Sequence, residues 1–171
     1  MGRLQELFAQ DWAFAMADNP EYASQAGEHD HAFPEGKELQ DVSPAGYAAR
    51  SAHARAMATA MQDLLANGQL TPEEVLQGKL FESMQTETVQ AIDHCPLYLL
   101  ALNSVGTGCV TYSFLESIEW MRFETSEDYA HYLKRLKAFP RQVDQFQQSL
   151  QEGTSKGMVA SQAMVHNVEA Q

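Results

Sequence analysis

Glu28-His29-Asp30-His31 sets two imidazoles and two carboxylates in four consecutive positions, a donor set that suits a divalent metal ion. Neighbouring residues rarely converge on one ion, and gathering them in a flexible loop costs conformational entropy, with no third, distant ligand to name. A solvated acidic turn is the expected state of these four residues. His94-Cys95 holds the elements of a thiolate–imidazole pair, but adjacent side chains seldom face one another, and the following Pro96 makes a helix boundary the simpler reading. The six histidines (His29, His31, His53, His94, His131 and His166) never form His-Glu-x-x-His, the spacing that places two imidazoles on one helical face with a Glu to activate water. Gly106-x-Gly108 is a lone glycine pair, and no phosphate-binding loop, dinucleotide fingerprint or Gly-x-Ser-x-Gly elbow occurs. No catalytic, cofactor-binding or metal-ligating residue is assigned from these patterns.

Two clusters bear on binding rather than on bond breaking. Lys134, Arg135, Lys137 and Arg141 gather around Phe139-Pro140. They are either a patch for an anion or acidic partner, or a solvated face complementing a helix dipole, and the second is the expected reading. Of the eight methionines, Met57, Met61 and Met84 stand at helical spacing. They suit an adaptable groove for a peptide helix, but plain core is the expectation. Trp12 and Trp120 need no ligand, and Cys95 and Cys109 are expected to be reduced.

Such side chains are positioned by the elements that carry them, and composition limits what those elements build. The chain has 171 residues, 23 acidic and 11 basic, for a formal charge of −12, and 44% of it is hydrophobic. That is room for one domain with its own core. The acidic balance argues against non-specific nucleic-acid or anionic-membrane binding, which depends on clustered Lys and Arg. The longest apolar run, Leu97 to Leu102, has six residues, far short of the roughly 18 a membrane span needs. Met1-Gly2-Arg3-Leu4 leads into mixed polar and apolar residues rather than a secretory leader, so a cytoplasmic location is expected.

Hydrophobic spacing predicts an all-α architecture of six or seven helices built on antiparallel hairpins, with one long apolar loop and a single region over 1–171. Leu4, Leu7, Phe8, Trp12, Ala15 and Met16 share a helical stripe that Asn19-Pro20 should end. A short helix follows from Pro20 to Gly27, then an acidic loop over 28–42. Ser43-Pro44 opens a long alanine-rich helix to Asn67-Gly68, and Thr71-Pro72-Glu73-Glu74 opens the next, over about 72–92. The three-residue turn between them makes these two antiparallel neighbours. Residues 95–112 read as a long, partly buried loop, a hairpin being the less favoured alternative because two glycines stand among residues with little period-two alternation. Phe114, Leu115, Ile118 and Met121 form a short helical face, and Thr125-Ser126-Glu127-Asp128 starts another helix. Its apolar spacing, Tyr129, Tyr132, Leu133, Leu136, Phe139, Val143, Phe146 and Leu150, continues past Pro140, where the helix either bends or restarts. Gly153 and Gly157 weaken its end, and 161–168 begins one more.

The stretch Phe123-x-Thr125-x-Glu127-Asp128-Tyr129-x-x-Tyr132-Leu133-x-Arg135-Leu136, then Phe139-Pro140-x-x-Val143-Asp144-Gln145, Glu152-Gly153 and Gly157, resembles the DUF885 family. Asn19-Pro20-Glu21 with Gly27 and His29, the Ser43-Pro44 helix start, and Leu97 to Asn103 add weaker matches. Full-length members of that family look like mostly helical zinc metallopeptidases. The resemblance covers nearly the whole chain but only the first third of a typical member, and it implies that the metal-binding helix belongs downstream of Gln171. No zinc ligand or catalytic Glu is carried onto any residue here. What it implies is a non-catalytic N-terminal helical segment that shapes a substrate cleft. Its partner would be the missing C-terminal catalytic part, or a further copy through exposed apolar helix faces. The rival readings are a self-standing helical interaction module and, last, an acidic metal binder using His29 and His31.

Overall fold

A computed structural model of the chain describes residues 2–28, 36–100 and 110–165; among them every regular element is helical. The order is α1 (Arg3–Asp18), α2 (Pro20–Gln25), α3 (Pro44–Asn67), α4 (Pro72–Asp93), a short 3-10 turn (Leu97–Leu100), α5 (Val110–Glu119), α6 (Ser126–Ser155) and α7 (Gln162–Val165). No helix among these residues is long and apolar enough to cross a membrane.

Local chemistry sets the ends of these helices. Asn19 caps α2 by accepting the Tyr22 amide on its side-chain oxygen at 2.9 Å, and Pro20 takes the first helical position, where no amide is missed. Gly27, at φ +78°, turns the chain out again. Thr71 and Glu74 form a reciprocal capping box on α4, and Thr125 and Asp128 form another on α6. His94 closes α4, its amide donating to the Gln90 carbonyl, so His94-Cys95 is a helix end and Cys95 an exposed free thiol.

One detail differs from the sequence reading, and one alternative that it left open is decided. Helix α5 already begins at Val110, so the last residues of the expected 95–112 loop are helical; residues 101–109 lie outside the described residues. At Pro140 the helix does not restart: of the two alternatives the continuing helix holds, and α6 is one helix of 30 residues. Pro140 stands on its exposed side, and its missing amide leaves the Leu136 carbonyl without its usual helical donor.

The chain divides into two compact units, Met1–Phe14 with Gly46–Pro96, and Ala15–Ala45 with Leu97–Gln171. In the first, α3 and α4 form the expected antiparallel hairpin. Ser51 donates to Asp93 at 2.8 Å, Gln62 donates to Glu82 at 2.7 Å, and a Cβ on Gly78 would stand 3.1 Å from the Met61 sulfur. The core here is Leu4, Leu7 and Met61, with Phe8, Leu64, Leu65 and Phe81 packed on it. Met61 meets the expectation of a core methionine. Met84 does not: it is exposed on the outer side of α4 in a row with Leu76 and Leu80.

In the second unit α5 and α6 form another antiparallel pair. Val110 packs with Phe146, and the rings of Phe114 and Phe139 lie 4.4 Å apart. The 3-10 turn presses on the end of α6, where a Cβ on Gly153 would meet the Leu99 carbonyl oxygen at 2.5 Å. Gly153 is therefore a close-approach residue as much as a weak helix former.

Candidate functional site

Helix α6 turns two different faces to its surroundings. Asp128, Arg135, Gln142 and Ser149, seven residues apart, are all buried, so a polar seam runs along the inward side of this helix beside the apolar contacts of Phe139, Val143 and Phe146. Arg135 is fully buried; its Nη2 donates to the Pro20 carbonyl at 2.7 Å and to Ser24 Oγ at 2.8 Å, and its Nε donates to the Glu38 carbonyl at 3.2 Å. Gln142 donates to Glu21 at 3.0 Å and to the Gln40 carbonyl at 3.1 Å. Ser149 donates to the Val42 carbonyl at 2.9 Å. The Gln40 amide in turn donates to Glu21 at 2.9 Å. These bonds fasten α2 and the extended chain Glu38–Val42 along α6, because side-chain donors supply what backbone carbonyls outside a helix or sheet lack. Burial lowers the Arg135 guanidinium to about 10, and the Glu21 carboxylate opposes that shift, so the group stays charged at neutral pH.

The outward face carries Tyr129, Leu133 and Leu136, one helical row 43–55% exposed. Beside it runs a second row, Lys134, Lys137 and Arg141, which with Glu38 and Ala138 lines a shallow depression of about 390 Å³. The four clustered cations of the sequence thus separate. Arg135 is structural, and the other three are exposed. The dipole account fails for all of them, since α6 continues to Ser155 and its C-terminus is far along the chain.

In the first unit, an Asp–His pair stands where sequence spacing gave no hint. His53 Nε2 lies 2.8 Å from Asp11 Oδ1, the second Asp11 oxygen accepts from Gln85 at 2.9 Å, and the His53 ring stacks on Phe14 with centroids 3.7 Å apart. Asp11, His53 and Gln85 come from three helices separated by dozens of residues, so only a tertiary fold brings them together. On the rim of the same unit Asp93 accepts from Ser51 and pairs with Arg55, and the Ser51 bond, then Arg55, holds its carboxyl below the usual range. Neither cluster fits a zinc centre: both Asp11 oxygens already accept bonds, and one imidazole with one carboxylate falls short of the three protein ligands such a site uses. Among the described residues no group of three or more His, Cys, Asp or Glu stands close enough to hold a metal ion. His29, Asp30 and His31 lie outside the described residues, as does Cys109.

What fold and site define together is an all-helical protein in which a long, capped helix is fastened to an extended segment by buried polar side chains. Its family is DUF885: the family model, described as a bacterial protein of unknown function, matches residues 20–171, and the chain belongs to it. The match opens at the capped start of α2 and takes in the whole polar seam. No curated protein and no solved structure matches the chain.

Proposed function

We propose that this chain is the non-catalytic helical support of a DUF885-like metallopeptidase, shaping one side of a substrate cleft that further sequence completes. The observation carrying this reading is the row Leu76, Leu80 and Met84, 57–70% exposed on a helix whose other side builds the core. Three large apolar side chains at i, i+4, i+8 make a stripe that isolated soluble proteins seldom leave uncovered. Family membership supports the larger context. In this reading zinc and its catalytic Glu come from the completing sequence, and none of the residues described above is assigned to them.

The test is to incubate the purified chain with zinc and a mixed peptide substrate and to count new amino termini. No turnover is expected, and turnover with one bound ion per chain would overturn the proposal. Static light scattering should show self-association that Leu80→Glu relieves, as uncovered apolar rows require. A second reading, a self-standing interaction module, is favoured by the Arg135 network, which closes within one unit of this chain. It expects a monodisperse protein with one cooperative melting transition and little dye binding.

A further inference from the structure

The outward face of α6 differs from the α4 row in one respect that selects a partner. Residues 129–143 hold Lys134, Arg135, Lys137 and Arg141 and no Asp or Glu, in a chain of net charge −12. Arg135 is withdrawn into the seam, and among the described residues Lys134, Lys137 and Arg141 make no ion pair. Glu38 is the carboxylate that shares their depression. Three exposed cations with no ion-pair partner among the described residues, in a chain of net charge −12, make a local positive field.

We infer that this face binds an acidic amphipathic helix of another protein, the apolar row Tyr129, Leu133 and Leu136 receiving its Leu-type anchors and Lys134, Lys137 and Arg141 its carboxylates. The face runs from Tyr129 to Arg141, a length of about 18 Å at 1.5 Å per residue, which matches some three turns of a partner helix. Two rows side by side, one apolar and one cationic, complement an amphipathic helix with acids along one flank. The positive face is also narrow. Beyond about one screening length of 8 Å the remainder of this acidic chain repels a broad anionic surface, so a short acidic helix fits where a bilayer or a nucleic acid does not.

The probe is a fluorescein-labelled helical peptide with Leu at i, i+4 and i+7 and Glu along one flank, titrated with the full chain and read by anisotropy. Its controls are a sequence-scrambled peptide of the same composition and a version with Lys for Glu. The Leu/Glu helix should bind, more weakly as salt is raised, while both controls bind at least tenfold more weakly. The triple variant Lys134→Glu, Lys137→Glu, Arg141→Glu should lose about tenfold in affinity or more, since three exposed pairs turn repulsive. Leu133→Ala with Leu136→Ala should lose a similar factor, and Lys134→Arg with Lys137→Arg should retain binding. Far-UV circular dichroism of each variant shows that α6 is intact; should a reversal variant fail to fold, the neutral Lys134→Gln, Lys137→Gln, Arg141→Gln carries the test. Equal binding of the scrambled peptide, indifference to these substitutions, or preferential binding to phosphatidylserine vesicles that the same substitutions abolish would each overturn the inference.

Discussion

The hairpin of α3 and α4 closes on Met61, Leu65 and Gly78, with its polar links, Ser51 to Asp93 and Gln62 to Glu82, towards the rim. Helix α6 packs Phe139, Val143 and Phe146 in the core it shares with α5, but towards the chain 38–42 it reverses that order, with Arg135, Gln142 and Ser149 in the buried seam, and it leaves Tyr129, Leu133 and Leu136 outside. The difference follows from what each helix packs against. A helix facing another helix meets a surface whose backbone groups are already bonded, so apolar and small side chains suffice. A helix facing the extended chain 38–42 meets bare carbonyls, and buried bare carbonyls need donors. Polar burial in α6 is therefore the condition for holding a segment that has no secondary structure of its own.

Removing Arg135 should break this arrangement most. Arg135→Ala deletes three hydrogen bonds to buried or half-buried oxygens and opens a cavity, at a cost of about 3 kcal/mol. Arg135→Lys should recover less than half of that, since one ammonium cannot span the Pro20, Ser24 and Glu38 acceptors that the planar fork reaches. Urea unfolding followed in single-tryptophan variants checks this for each unit, with Trp120 reporting on one and Trp12 on the other. The Trp120 transition should move to lower urea further than the Trp12 transition. Equal movement would mean that the seam matters to both units alike.

This same residue shows how far the sequence could be read. The helix starts at Ser43-Pro44, Thr71 and Thr125 and the antiparallel hairpin were visible because capping and short turns are encoded within a few neighbouring residues. Arg135 was grouped with its charged neighbours because its acceptors are main-chain oxygens 115 and 97 residues away, and a carbonyl looks the same on every residue. A signal was nevertheless present. Asp128, Arg135, Gln142 and Ser149 repeat every seven residues, but the apolar repeat beginning at Tyr129 is the louder pattern, and hydrophobic spacing alone assigns the inner face to it, which holds for Phe139, Val143, Phe146 and Leu150 but not for Tyr129, Leu133 and Leu136. The same reasoning misplaced Met84, whose row is as periodic as a core stripe and faces outward. The Asp11, His53 and Gln85 cluster had no local spacing to find at all.

A pair of helical glycines sharpens the contrast at smaller scale. Gly153→Ala drives a methyl into the Leu99 main chain, where nothing flexible can yield, and should destabilise the Trp120 transition by about 2 kcal/mol. Gly78→Ala meets only the Leu65 methyl and the Met61 sulfur at 3.0 and 3.1 Å, both ends of flexible side chains. The crowding there is offset by the roughly 1 kcal/mol that alanine gains over glycine inside a helix, so the net change should be under about 1 kcal/mol. Equal losses at both sites would remove the distinction between a backbone contact and a side-chain contact.

The two capping boxes give the smallest effect and a common pH response. Thr71→Ala and Thr125→Ala should each cost about 1 kcal/mol, the usual loss when a hydroxyl cap is removed. In both boxes the carboxylate is held below its ordinary range, Glu74 chiefly by the Thr71 amide and then the Thr71 hydroxyl, Asp128 chiefly by the Thr125 amide and also by that of Glu124. A carboxyl depressed on folding contributes stability that is fully present above its unfolded value near 4 and is lost as pH falls through the lower folded value. Thermal melts should therefore be flat in this respect from pH 7 to about 5 and decline below 4. Asp128 also faces Arg122 at 3.5 Å and is buried, whereas the Glu74 box lies at the surface. Asp128→Asn should thus reduce the acid decline of the Trp120 transition, and Glu74→Gln part of that of the Trp12 transition, where Asp93 is held low as well; a decline unchanged in both variants would place the acid-labile groups elsewhere.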